Sequence, residues 1–214
     1  WGWKNDISRR LPSLDFRPIA ESSTRVAALL TGEADIIRGL PAQDIRRVRG
    51  AEGAVVETIA GNRCMNIFFR DDIPPTNDAR VRRALNHAVD IDAIIRALHG
   101  GNAVKLQGQP VGPSVIGFNP NLAAYPYDPA KARQLLREAG YPNGFDIKFD
   151  TSAGRYEKDV EVSNAIAGML GKVGVRTEVV INETAEYAAK YARTIPYANM
   201  FFWASGNIVP EAEN

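Results

Sequence analysis

Seven residues gather polar, cationic and aromatic side chains at predicted strand ends: Thr151, Ser152, Arg155 and Tyr156 after one strand, and Trp203, Ser205 and Asn207 after another. Hydroxyls and amides offer hydrogen bonds, a guanidinium offers a permanent charge, and tyrosine and tryptophan rings offer stacking surfaces. This is chemistry for holding a small molecule rather than for breaking a bond in one. Trp203 has two readings of equal standing, a wall of a ligand site or an indole filling the core beneath a loop.

The remaining reactive residue types point elsewhere. His87 and His99 sit in a helical region, one of them near a helix C-terminus where the dipole favours a cation, and read as surface or structural residues. Asp71 and Asp72 are adjacent, so in an extended segment their carboxylates diverge, and a solvated turn is the better reading. Cys64, the only cysteine, reads as a buried apolar residue and excludes an internal disulfide. Asn182-Glu183-Thr184 matches a glycosylation acceptor, a frequent chance match. There is no P-loop, dinucleotide fingerprint, H-E-x-x-H pair, calcium loop or G-x-S-x-G elbow. No cofactor, metal or enzymatic activity is therefore expected. Two other classes stay open: a small α/β enzyme using Arg155, Tyr156 and a carboxylate at the strand ends, and a purely structural interaction domain.

Composition narrows the partners. The 214 residues are 45% hydrophobic and 24% charged, and 26 basic against 25 acidic residues leave a net charge of +1. Such a balance gives no footprint for nucleic acid or an anionic membrane. No apolar run reaches the about 18 residues that a spanning helix requires. The abrupt start WGWKND and the end NIVPEAEN, which comes after an apolar strand, read as the ends of a fragment.

The elements that must position these residues are marked by caps and turns. Asp128 can cap a helix with Pro129 at its first position, and Ala132, Leu135, Leu136 and Ala139 line one face of it. Gly140 can end it in the left-handed conformation, Asn143-Gly144 favours a turn, and Phe145, Ile147 and Phe149 then alternate as a half-buried strand. A helix over about 157–172, a strand over Val175 to Ile181, a helix over about 184–193 and the apolar strand ANMFFW complete a β-α-β-α-β unit. Its crossovers predict an α/β fold with a mostly parallel sheet, whose ligands collect at the carboxyl ends of the strands. Upstream, Thr76 or Asn77 can cap a helix carrying Val81, Ala84, Leu85 and Ala88, and Asp90 can start another that ends at Gly100-Gly101. Ser22 and Ser23 can cap a helix that stops at Gly32. Short strands are predicted over Phe16 to Ile19, in the segment ADII, over Val55 to Ile59 and over Cys64 to Phe69. The glycine- and proline-rich stretch from 100 to 127 has no periodicity and reads either as a loop at a binding site or as a surface connection.

The order of these segments resembles the peptide/nickel-type family of periplasmic substrate-binding proteins that serve ABC importers. STRVAALLTGEADI resembles the family's helix-to-strand segment, and PPTNDARVRRALNHAVDIDAII its P-P-x-x-D-x-R-V-R-x-A-L-x-x-A-x-D run. GGNAVKLQGQPVGP, YDPAKARQLLREAGYPNGF and AIAGMLGKVGVRTEV resemble its glycine-rich connection, its Y-D-P helix and a later helix and strand. The resemblance implies a two-lobed protein that encloses a small solute in its cleft, with residues 1–67 part of the first lobe and 68–214 most of the second. It further implies a monomer outside the cytoplasm, periplasmic or lipid-anchored, that works with a membrane permease. Peptide-binding members often carry an aspartate shortly after the tryptophan matching Trp203, where it can pair with an amino terminus; here the sequence runs WASGNIVPE. An oligosaccharide, a modified peptide or another solute thus stays open beside a peptide.

Overall fold

The computed structural model describes residues 13–58, 61, 63–113, 115 and 117–206. The chain divides into two units, residues 1–58 and 59–214.

In the first unit, helix α1 (Ser22–Leu30) buries Val26 and Ala28. Gly32, at φ +75°, turns the chain out of it, and the Ala34 amide returns to the Ala28 carbonyl at 3.0 Å. A 3-10 turn over Ala42–Asp44 leads into the short helix α2 (Ile45–Arg49), which buries Val48. The guanidinium of Arg25 donates to the carbonyls of Ile19, Ala20 and Gly39, tying the flanking connections to α1. The strands expected over Phe16 to Ile19, in ADII and over Val55 to Ile59 do not form within the described residues, and Ile59 itself lies outside them. Phe16, Ile36 and Val55 are largely exposed. Short apolar runs become strands only against a partner, and no strand occurs among the described residues of this unit.

The second unit is a mixed α/β fold on a four-stranded sheet. Strand β1 (Arg63–Phe69) precedes helices α3 (Ala79–His87) and α4 (Ile91–His99). After helix α5 (Pro129–Glu138) come β2 (Phe145–Ser152), α6 (Asp159–Gly171), β3 (Val175–Asn182), α7 (Thr184–Tyr191) and β4 (Met200–Gly206). The strand order is β1-β4-β2-β3. β2 runs parallel to β3 from Phe145 opposite Val175 to Ser152 opposite Asn182, and parallel to β4 at Phe149–Met200 and Asp150–Phe201. The predicted β-α-β-α-β unit is therefore present. β1 adds an antiparallel edge to β4, with Arg63 opposite Gly206. This pairing ties residues 63–69 to the sheet of the second unit.

The caps obey local chemistry. Asp128 accepts the Lys131 amide and Asp90 the Ala93 amide, each at 2.9 Å. At α3 the cap is Asp78, which accepts the Arg80 amide at 2.7 Å, rather than Thr76 or Asn77; Thr76 is instead fully buried. The 100–127 stretch holds no helix or strand among its described residues, and it is pinned by Gln109, whose side-chain amide exchanges two 2.9 Å hydrogen bonds with the backbone of Asn119. Phe149, Leu136, Leu170, Val175, Met200 and Phe202 centre the core beneath the helices.

Gly140 ends α5 at φ +93°, with the Tyr141 amide returning to the Leu136 carbonyl at 2.8 Å. An added Cβ there meets nothing within 4 Å. Gly140→Val should thus destabilise the unit by backbone strain alone, about 1 kcal/mol. Urea unfolding checks it: a midpoint equal to the parent's would mean that this backbone is not held left-handed.

Candidate functional site

The carboxyl end of β2 is where the alternation of the strand breaks. Phe145, Ile147 and Phe149 are buried and Asp146 and Lys148 exposed, but Asp150, Thr151 and Ser152 are all buried. The polar groups at this end are therefore satisfied inside the protein. The Asp150 carboxylate accepts from Lys190 Nζ at 2.9 Å, Asn182 Nδ2 at 3.1 Å and the Ala198 amide at 2.6 Å. Lys190 also meets Asn182 Oδ1 at 2.5 Å and Glu186 at 2.9 Å. Burial disfavours the Lys190 ammonium, but its bonds to Asp150 and Glu186 outweigh that and hold its pKa above the ordinary lysine value. Asn182 is 3% exposed with its amide donating to Asp150 and to the Thr151 carbonyl, so it is no glycosylation acceptor in the folded chain.

Thr151 is fully buried, its hydroxyl facing the carbonyls of Ser152 and Asp159. It supports the site from behind. Ser152 Oγ donates to Asp159 Oδ2 at 2.9 Å. The chain then turns through Gly154, at φ +75°, and presents Arg155 and Tyr156 before α6 begins. Arg155 is exposed, with its Nε donating to the Tyr156 hydroxyl at 3.3 Å. Its guanidinium carbon stands 5.6 Å from the Tyr156 ring centroid and 5.5 Å from that of Tyr187, within cation–π range. Arg63, at the start of β1, approaches Tyr156 at 6.0 Å. Neither arginine makes an ion pair among the described residues.

Tyr187 on α7 was not legible as a site residue, because at helical spacing it reads as core. It is 1% exposed, stacks on Phe201 with centroids 5.0 Å apart, and donates to the Phe202 carbonyl at 2.9 Å. Its hydroxyl is also hydrogen-bonded to that of Tyr156 at 3.1 Å. Burial, and then the bond to Tyr156, raise its pKa far above the ordinary phenol value, so it stays neutral. With the Tyr187 proton given to Phe202, that of Tyr156 points to Tyr187, and the Tyr156 oxygen is left to receive Arg155. A cleft of about 180 Å³ opens here, lined by Ser152, Gly154, Arg155, Asn182, Thr184 and Tyr187 among others.

Trp203 lies within β4 rather than at its end, because pairing with β1 extends that strand to Gly206. The indole is half-buried, edge-on to Phe68 at 5.1 Å and stacked on Tyr191 at 5.7 Å. The backbone of Ser205 pairs opposite Cys64. Asn207 lies outside the described residues. The structure therefore brings Ser152, Arg155 and Tyr156 together and adds Tyr187 and Arg63 to them. His87 has the structural role expected: its Nδ1 meets the Pro126 carbonyl at 2.8 Å and its ring edges Tyr125.

Among the described residues no helix is long and apolar enough to cross a membrane. Residues 3–214 match the family model described as Bacterial extracellular solute-binding proteins, family 5 Middle. Heme-binding protein A of Haemophilus influenzae is 30% identical over 214 residues, which cover 99% of this chain and 38% of that protein. Glutathione-binding protein GsiB of Pectobacterium atrosepticum is 31% identical over 190 residues, covering 88% of this chain and 36% of that one. The solved structure of the ABC transporter-associated periplasmic binding protein DppA from Helicobacter pylori, in complex with the peptide STSA, superposes with a TM-score of 0.79 at 30% identity. That match covers 90% of this chain and 36% of DppA. The chain thus spans under two fifths of the length of each of these proteins.

Proposed function

Because the chain belongs to the family 5 bacterial extracellular solute-binding proteins, we propose that it is part of an ABC importer's binding protein and captures a small, peptide-like solute bearing a carboxylate. The solute meets the carboxyl ends of β2, β3 and β4, and the opposite wall comes from another lobe. The complete protein works as a periplasmic monomer and delivers its cargo to a membrane permease.

One observation carries this reading. Arg155 presents a guanidinium with no acidic partner among the described residues, held over two tyrosine rings beside the cleft. A fixed, unneutralised guanidinium is suited to a carboxylate, which it can grip with two parallel hydrogen bonds. The relatives support the chemistry: heme, glutathione and peptides all carry carboxylates. They also support capture rather than turnover, since each is named as a binding protein.

Mass spectrometry of the solute that co-purifies with the complete protein tests the proposal. An unaltered peptide-like acid is expected; a bound solute with no anionic group, or one that is converted on incubation, would contradict it. Trp203 adds an apolar wall in this reading, so Trp203→Ala should weaken solute binding by about 1–3 kcal/mol. Unchanged affinity in calorimetry, with the fold intact, would assign the indole to packing against Phe68 and Tyr191 alone.

A further inference from the structure

We infer that Asp159, the first residue of α6, is the positioning residue of this site: its carboxylate is the hub around which the chain folds to place Arg155 and Tyr156. This role depends on the solute-binding reading and falls to a residue that touches no solute itself.

The Asp159 side chain is 2% exposed, yet it makes no ion pair among the described residues. It is satisfied entirely by neutral donors. Ser152 Oγ reaches Oδ2 at 2.9 Å, and the backbone amides of Arg155 and Tyr156 reach the same oxygen at 3.1 and 3.2 Å. The amides of Gly154 and Val160 reach Oδ1 at 3.1 and 3.0 Å. Between them, these donors span the last residue of β2, the turn and the first turn of α6. A carboxylate offers about four lone-pair directions, so these five bonds saturate it.

The geometry has two effects. The backbone amides of Arg155, which lines the cleft, and of Tyr156, whose ring lies under the Arg155 guanidinium, are fixed through the same oxygen atom, so the two residues are held in register with each other and with the end of β2. A carboxylate spent on amides is also withdrawn from the neighbouring guanidinium. Arg155 bonds to the neutral Tyr156 hydroxyl instead, and its charge stays available for a ligand. Asparagine at 159 would keep the shape but replace one acceptor oxygen by an N–H₂ aimed at amide donors, turning attraction into repulsion at one side of the hub.

The test is a double-mutant cycle in the complete protein, with a defined tripeptide library as probe, measured as free carboxyl acids and as C-terminal amides. Asp159→Asn should lower affinity for the acids by about tenfold and erase the preference for acid over amide, whereas in an Arg155→Ala background it should change affinity less than about twofold. A residue that only stabilises the fold would give independent losses, so equal losses in both backgrounds would overturn the role of Asp159. A parent that binds no library member would instead overturn the peptide-like solute reading. Hydrogen exchange on the unsubstituted protein guards against a variant that does not fold: the amides of Gly154, Arg155 and Tyr156 should be protected at least about tenfold against the unfolded rate. Exchange at the unfolded rate would remove the hub and the proposal with it.

Discussion

Lys190→Met should cost the second unit about 3 kcal/mol, the low end of the range for removing one partner of a buried ion pair. Asp150 is 1% exposed and lies on the central strand β2, where water cannot replace the lost ammonium. The Asn182 amide and the Ala198 N–H remain, which keeps the cost at the low end of the range. The methionine fills the volume of the lysine stem, so the loss reports the charge rather than a cavity. Adding Asp150→Asn should restore part of the stability, since the stranded charge is then gone. Urea unfolding of both variants decides it; a single-variant cost under about 1 kcal/mol would mean that the pair is solvated. The sign of the pH dependence is fixed as well. The Lys190 pKa is raised in the folded chain, so its contribution is fully present below the ordinary lysine value and is lost as pH rises through the raised one. This contact should therefore leave stability flat through neutral pH.

Gly144→Ala should be as damaging, on the order of 3 kcal/mol, through a different cause. A Cβ at Gly144 would stand 1.7 Å from the Gly174 carbonyl oxygen, and its φ of +73° is unfavourable for alanine in any case. The two glycines bring the turn before β2 against the turn before β3, directly ahead of the Phe145–Val175 register pair. Relief would require one strand to move away from the other. Gly174→Ala is the control: its Cβ would meet only ordinary contacts from 3.6 Å, so strain at φ +93° is its whole cost, about 1 kcal/mol. Equal unfolding midpoints for the two variants would contradict the close approach.

What could be read from the sequence was local. Asp128, Asp90 and Gly140 act through neighbours within a few residues, and the alternation of Phe145, Ile147 and Phe149 is visible in the chain itself. The β-α-β-α-β order fixes which strand ends meet, and so Ser152, Arg155 and Tyr156 could be named as neighbours. Contacts across long separations were not legible. The pairing of β1 with β4 joins segments more than 130 residues apart, and it moves Trp203 from a strand end to mid-strand. ADII and Phe16 to Ile19 have strand-like composition, but no strand among the described residues of their unit pairs with them. Tyr187 looked like core because it is core, and its links to the site, the Arg155 guanidinium over its ring and the hydrogen bond between its hydroxyl and that of Tyr156, arise only in the fold. Asp159 carried a faint signal, an acid in the first turn of a helix, but that position is common and its five donors, from the end of β2, the turn and the start of α6, converge only in the fold.

Whether Arg155 receives a carboxylate at the carboxyl end of the sheet is decided by calorimetric titration of the complete protein with one tripeptide library, as free acids and as C-terminal amides. The parent should bind the acids at least about tenfold more tightly than the amides, as expected for losing a charge-assisted bond, and Arg155→Ala should bind both alike. Equal affinity of the parent for acids and amides, or a preference for acids that survives Arg155→Ala, would contradict it.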